Sequence, residues 1–276
     1  MAEEPQENIS GGDDAAAAAF GVGDAGTRAE AVVDELGELY WQKTYGGKDA
    51  FESLVRTILS QNTSDVASQP AHDALMEQYG ADDYSREDGA NDHDLAVALA
   101  DAEQSVLAET ISSAGLYNQK SEMIIGAAER ICEEYGGAVG FDRFVREQAP
   151  GDVRDALLDI HGVGPKTADC VLLFAGGRDG VFPVDTHVHR IARRMGLAPA
   201  HADHETVREH LEADVPGEKC GFGHTAMIQF GREYCTARKP ACLDGPEACP
   251  LYDHCDRVGV DEVTETVVDP VEAAGD

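Results

Sequence analysis

The chain has 276 residues, enough for two domains of ordinary size with their own cores. Acids outnumber bases 53 to 21, giving a formal net charge of −32, and only six of the bases are lysine. No run of 18 apolar residues occurs, which excludes a membrane-spanning helix, and the acidic start lacks the basic-then-apolar order of a signal peptide, so a cytoplasmic protein is expected.

In chain order, residues 1–25 are rich in Ala, Gly and acids and read as a disordered tail. A helix follows over 27–45, carrying Ala31, Leu36, Leu39, Tyr40 and Trp41. Two more run from Ala50 to about 80; Phe51, Leu54, Val55, Ile58 and Leu59 form an apolar stripe, which the polar SQNTSD at 60–65 breaks. Between 80 and 105 eight acids face one base, Arg86, the composition of a solvated insertion. Helices are expected over 95–118 and 121–135, joined by the turn GLYNQK at 115–120, and over 141–149. Val153, Ala156, Leu157 and Ile160 then mark a helix that ends in a tight hairpin, IHGVGPK. The returning helix leads to a short extended piece at 180–184. Further helices are expected from 188 to Gly196, over 204–213 and over 221–234. A cysteine loop spans 235–255, and 259–276, with six acids and no base, reads as a second disordered tail. Few stretches alternate with period two, so the fold class is all-α.

The charge has two readings. Either no polyanion binds, or the protein is adapted to molar salt, where acidic, lysine-poor surfaces are usual. At 1 M ionic strength the Debye length is roughly 3 Å, so distant like charges hardly repel and local bases still act. The second, halophilic reading is preferred.

Three constellations carry chemistry. Gly162-Val163-Gly164 between two helices frees the backbone for a turn and presents N–H groups at a helix N-terminus, a grip for phosphate that is blind to base sequence. Pro165 suits the first helical position, which puts Lys166 in the first turn, where the helix dipole disfavours its charge and makes it a candidate nucleophile. Asp185 stands at a helix start, where an N-cap is the ordinary role. That role also fixes the carboxylate's position for catalysis. Cys235, Cys242, Cys249 and Cys255 are separated by six, six and five residues. With no CxxC knuckle this set favours an iron–sulfur cubane, zinc or free thiols being the alternatives. Cys132, Cys170 and Cys220 read as ordinary buried residues. Arg190, Arg193 and Arg194 after Asp185, with Arg232, Arg238 and Lys239 around the cysteine loop, form local bases on an acidic body and suggest a DNA face. The histidines show no metal-ligand pattern, His187 being the one expected near the site.

SQNTSD, GLYNQK, IHGVGPKTA through VDTHVHR, and the cysteine loop occur in one order over about 28–257. Together they resemble the helix-hairpin-helix DNA glycosylases of the endonuclease III branch. The resemblance implies a two-domain helix-hairpin-helix glycosylase fold with a C-terminal [4Fe–4S] loop. Its expected parts are a helical barrel over 46–178 with the hairpin motif at about 152–175, and an iron–sulfur domain made of 26–45 plus 179–258. It implies Lys166 as the catalytic lysine, Asp185 as the essential aspartate, and the four cysteines of the loop as cluster ligands. Gly162 and Gly164 fall on the hairpin glycines that grip a phosphate, with His161 and Val163 expected to contact DNA beside them. Gln61 and Asn62 fall where such enzymes fill the gap left by a flipped base, Asn62 as the inserting residue and Gln61 as its neighbour. Arg190, Arg193, Arg194, Arg238 and Lys239 are expected to contact DNA on the strength of their local charge.

The implied function is a bifunctional glycosylase and abasic-site lyase for oxidised pyrimidines, acting as a monomer on double-stranded DNA with damaged bases or abasic sites. Alternatives are a thymine or uracil mismatch glycosylase of the same fold, or a non-catalytic DNA-binding protein. Three positions depart from the branch's common pattern. Six residues lie between Cys242 and Cys249 where two are common, which predicts a loop excursion. His161 stands where proline is common. Asp169 stands where asparagine is common, and places an acid one turn from Lys166 that opposes the helix dipole.

Overall fold

The computed structural model describes residues 15–17, 25–43, 48–80 and 94–274. Most of the expected N-terminal tail, and 81–93 of the acidic insertion, lie outside the described residues. The chain divides into two compact units, one made of 1–44 with 179–276 and the other of 45–178.

The discontinuous unit begins with a strand, β1 (Ala15–Ala17), which lies within the segment expected to be disordered. Helix α1 (Arg28–Leu39) starts at Thr27, whose side chain accepts the N–H of Glu30. It ends before the expected residue 45, because the chain turns extended as β2 (Trp41–Lys43) and pairs antiparallel with β1.

The continuous unit holds α2 (Ala50–Ser60), α3 (Asp65–Tyr79), α4 (Leu95–Ala100), α5 (Gln104–Thr110), α6 (Tyr117–Tyr135), α7 (Ala138–Glu147), α8 (Pro150–Leu158) and α9 (Pro165–Phe174). Helix α2 is its central element. Its predicted stripe of Phe51, Leu54, Val55, Ile58 and Leu59 is fully buried, each large side chain stabilising by roughly 1.5–3 kcal/mol. Asp49 caps it, accepting the N–H groups of Phe51 and Glu52 at 2.9 Å each. The helix expected over 95–118 is instead α4, α5 and a 3-10 turn at Ser112–Ala114. Helix α6 starts four residues before the expected 121, after a left-handed Leu116.

Back in the discontinuous unit, α10 (Thr186–Met195), α11 (His204–Asp214) and α12 (Gly217–Glu233) bury a common core with α1. That core includes Val32, Val33 and Leu36 from α1, Ile191 from α10, Leu211 from α11 and Phe230 from α12. The stretch expected as a C-terminal disordered tail is structured as far as 274. Strands β3 (Val260–Asp261) and β4 (Thr266–Val267) pair as a hairpin, and α13 (Pro270–Ala273) follows. One tie to the rest of the unit is formed far from it in sequence: Asp269 accepts from both Nη atoms of Arg193, at 3.1 and 2.9 Å.

Candidate nucleic-acid interface and metal centre

In the continuous unit, α8 and α9 form the expected helix-hairpin-helix. Gly162 has φ +82°, and a Cβ there would meet the Met123 side chain at 2.1 Å, so the turn requires glycine. Gly164 differs: its φ is −98° and a Cβ would meet nothing within 4 Å. The protein's own packing therefore does not demand a glycine at 164. It leaves the backbone before α9 open to approach. His161 is exposed, whereas Val163 is buried and spends its N–H on the Ile160 carbonyl at 3.0 Å. Neither the side chain nor the N–H of Val163 is available to DNA, which corrects that expectation.

Pro165 is the first residue of α9 and Lys166 the second, half-buried. The N–H groups of this first turn lack carbonyl partners within the helix, as at any helix start. Asp169, one turn on, is buried, and its Oδ1 accepts from Arg154 Nε of α8 at 2.7 Å. The acid expected to oppose the dipole beside Lys166 is therefore compensated by a cation that no motif in the sequence marks.

The polar break after α2 meets the hairpin. Gln61 Nε2 donates to Gly162 O at 3.1 Å and to Thr167 Oγ1 at 3.2 Å, so Gln61 braces the turn. Asn62 is exposed with φ +51°, a left-handed conformation that asparagine tolerates better than most residues. A second exposed left-handed tip, Leu116 at φ +48°, stands next to Tyr117, and the two side chains are 57% and 41% exposed. A large apolar residue held out in that conformation marks stored strain of the kind found at functional sites. The signal for it in the sequence is an apolar pair inside the turn GLYNQK, which by itself reads only as a connection.

In the discontinuous unit, Asp185 caps α10 as expected, its Oδ1 accepting the N–H groups of His187 and Val188 at 2.9 and 2.8 Å. His187 follows it, half-buried, and burial pushes its pKa below the ordinary 6.5. The arginines on α10 do not form a DNA face. Arg190 bonds the carbonyls of Cys235 and Gly231. Arg193, buried, bonds Ala200 O and Asp269. Arg194, 2% exposed, donates to Thr236 O at 2.8 Å, Ala237 O at 3.2 Å and Cys235 Sγ at 3.4 Å. The guanidinium groups of Arg190 and Arg194 satisfy backbone carbonyls at the end of α12 and in the loop after it. Arg238 and Lys239 remain exposed on that loop, Lys239 only loosely facing Asp244 at 3.7 Å.

Cys235, Cys242, Cys249 and Cys255 line one pocket whose walls include Phe230, Pro240 and Leu251. The six residues between Cys242 and Cys249 are taken up by short 3-10 turns at Ala241–Asp244 and Pro246–Ala248, and Cys249 still faces the other three thiols. Burial first, and neighbouring thiols after it, pushes Cys255 up to about 12. Burial likewise raises Cys249 to about 11. A bound cationic centre would hold such groups as thiolates. Four thiols sharing one apolar-walled pocket fit an iron–sulfur core, with Arg194 and the Arg257 N–H donating to sulfur at 3.4 and 3.3 Å.

Residues 55–216 match the HhH-GPD superfamily of base excision DNA repair proteins, and 235–255 match the iron–sulfur binding domain of endonuclease III. The chain is 33% identical to endonuclease III of Thermotoga maritima over 208 residues, covering 75% of this chain and 83% of that protein. It is 32% identical to endonuclease III of Bacillus subtilis, covering 74% and 80%. Among solved structures, a non-covalent endonuclease III–DNA complex superposes with a TM-score of 0.64 at 26% identity, covering 82% of this chain and 92% of that one. A trapped endonuclease III–DNA covalent intermediate gives 0.61 at 28%, covering 78% and 87%. Among the described residues no helix is long and apolar enough to cross a membrane.

Proposed function

The chain belongs to the HhH-GPD superfamily of base excision DNA repair proteins and carries an iron–sulfur binding domain, and from this we propose that it is a bifunctional DNA glycosylase and abasic-site lyase for oxidised pyrimidines in double-stranded DNA. The observation that carries the reading is Lys166 in the first turn of α9, directly after a hairpin whose Gly164 leaves the backbone open.

In this reading the hairpin N–H groups hold a phosphate, while Asn62 and Leu116 enter the stack as the damaged nucleotide leaves it. Unstacking costs a few kcal/mol, least where damage has weakened pairing. The neutral Lys166 amine attacks C1′, and the glycosidic bond breaks with its electron pair going to the base, which takes up a proton. The carboxylate of Asp185, held by its cap bonds, stabilises positive charge on the sugar. Opening of the ring leaves an iminium between Lys166 and C1′. Loss of a C2′ proton then expels the 3′ phosphate, and water releases the lysine. Cys235, Cys242, Cys249 and Cys255 would hold the cluster, which ties the 235–255 loop into shape, and Arg238 and Lys239 on that loop would meet phosphate.

Sodium borohydride traps the iminium, so the test is covalent capture on duplex DNA bearing an oxidised pyrimidine or an abasic site. An adduct with the wild type that is lost in Lys166→Ala is expected. No adduct, or one undiminished in that variant, overturns the lysine mechanism. Excision of thymine or uracil opposite guanine, in preference to oxidised pyrimidines, would favour the mismatch alternative.

A further inference from the structure

Lys120 sits in the first turn of α6 with only 2% of its surface exposed. Among the described residues no carboxylate is paired with it. Its ammonium instead donates to three neutral oxygens: Leu59 O at 2.7 Å, Thr63 Oγ1 at 2.7 Å and Ala114 O at 2.9 Å. Leu59 is in the last turn of α2 and Ala114 ends the 3-10 turn, so two of these are carbonyls that a helix end leaves unpartnered. The negative ends of those two elements also offset the burial of a cation. Burial alone pushes its pKa below the ordinary lysine value.

A charge in this place is costly, and an apolar side chain of similar length would fill it more cheaply. What the ammonium adds is direction. Leu59 and Thr63 bracket Asn62, and Ala114 lies two residues before Leu116. The Lys120 N–H closes the second tip by donating to Leu116 O at 2.9 Å, and Thr63 Oγ1 also bonds Ala114 O. The two exposed left-handed tips are thus tied to one side chain. Each left-handed residue costs on the order of 1–3 kcal/mol and persists only where its surroundings over-determine it.

We propose that Lys120 is a positioning residue that sets Asn62 and Leu116 as a paired wedge for the opened DNA stack. Lys120 itself touches no DNA and takes no part in the chemistry at Lys166. The inference rests on the reading of Asn62 and Leu116 as inserting residues, and its test separates the two.

The full-length holoprotein is mixed with a duplex carrying a tetrahydrofuran abasic analogue and 2-aminopurine in the opposite strand, whose fluorescence rises when the stack is opened. The variants are Lys120→Met, Thr63→Val, Asn62→Ala and Leu116→Ala, each checked for wild-type helical circular dichroism. Lys120→Met is expected to lose most of the fluorescence rise and to weaken duplex binding about tenfold, or 1.4 kcal/mol. Borohydride trapping on single-stranded abasic DNA, which needs no wedge, should stay within twofold of wild type. A folded Lys120→Met with the wild-type fluorescence rise overturns the proposal. If Lys120→Met does not fold, Thr63→Val, which breaks one strut, must reduce the rise, and an unchanged rise overturns it equally. Full signals in both Asn62→Ala and Leu116→Ala would instead remove the wedge reading beneath it, and loss of single-stranded trapping in Lys120→Met would place the lysine in the chemistry.

Discussion

Arg154 neutralises Asp169 across the hairpin: its Nε donates to Oδ1 at 2.7 Å, and the carboxylate is 2% exposed. Removing one partner of a buried ion pair typically costs about 3–5 kcal/mol. Arg154→Ala should therefore lower the melting temperature sharply. The double variant Arg154→Leu/Asp169→Asn should recover most of the loss. Equal melting of the single and double variants would show that the pair is not coupled.

The two hairpin glycines should separate by experiment. Gly162→Ala forces a positive φ and a clash with Met123, and should destabilise by about 1–3 kcal/mol. Gly164→Ala meets nothing, so melting should shift by no more than about 0.5 kcal/mol. Duplex affinity should nonetheless drop, on the order of tenfold, because the methyl group stands where a phosphate must approach. Calorimetric melting alongside fluorescence anisotropy with duplex DNA reads both effects.

Asp185 caps α10 and is assigned a catalytic charge, and asparagine keeps only the first role. Asp185→Asn should melt like wild type, since both residues cap well, while the single-turnover rate of iminium trapping falls roughly 10²–10³-fold. A wild-type rate in that variant would reduce Asp185 to a helix cap.

The basic residues near the site should sort into two groups. Substituting Arg238 and Lys239 by alanine should flatten the dependence of DNA affinity on salt, by about 0.9 in log–log slope for each phosphate no longer neutralised. Arg194→Ala should leave that slope unchanged and instead lower the iron bound per chain, because Thr236 O, Ala237 O and Cys235 Sγ lose their donor. A slope change in Arg194→Ala would return that residue to the DNA face.

Stability should carry a pH signature from Asp49. Burial raises its carboxyl from the ordinary 3.8 to about 6. The folded state then holds the proton more tightly than the unfolded chain. The stabilisation is complete below about pH 4 and is lost as pH rises through 6. Asp49→Asn retains a capping side chain and should gain on the order of 1 kcal/mol over wild type above pH 6, after discounting for the water that reaches this half-buried group. The gain should vanish toward pH 4 in thermal melts taken across that range.

Legibility in the sequence followed the range of the interactions. The hairpin could be read because Gly162, Gly164 and Pro165 act within one turn, and α2 because its stripe is periodic. Arg190, Arg193 and Arg194 misled because basic residues on one helix resemble a DNA face until their partners are known, and those partners lie at 200, 231–237 and 269. The C-terminal hairpin was hidden for the same reason: Asp269 in this acid-rich stretch meets Arg193, 76 positions away. Lys120 was the least visible, since its three oxygen partners come from 59, 63 and 114, two of them backbone carbonyls that no residue type announces.

The discontinuous unit has a consequence for how the protein is made. Helix α1 buries Val32, Val33 and Leu36 among residues that are synthesised more than 140 positions later, and Arg28 closes the arrangement on Asp256 at 2.7 Å. During translation α1 must wait, with its apolar face uncovered, while the whole of 45–178 emerges and acquires its own core. The four thiols of the 235–255 loop emerge later still. A chain stalled before Cys255 therefore holds neither a finished unit nor all four thiols of the loop.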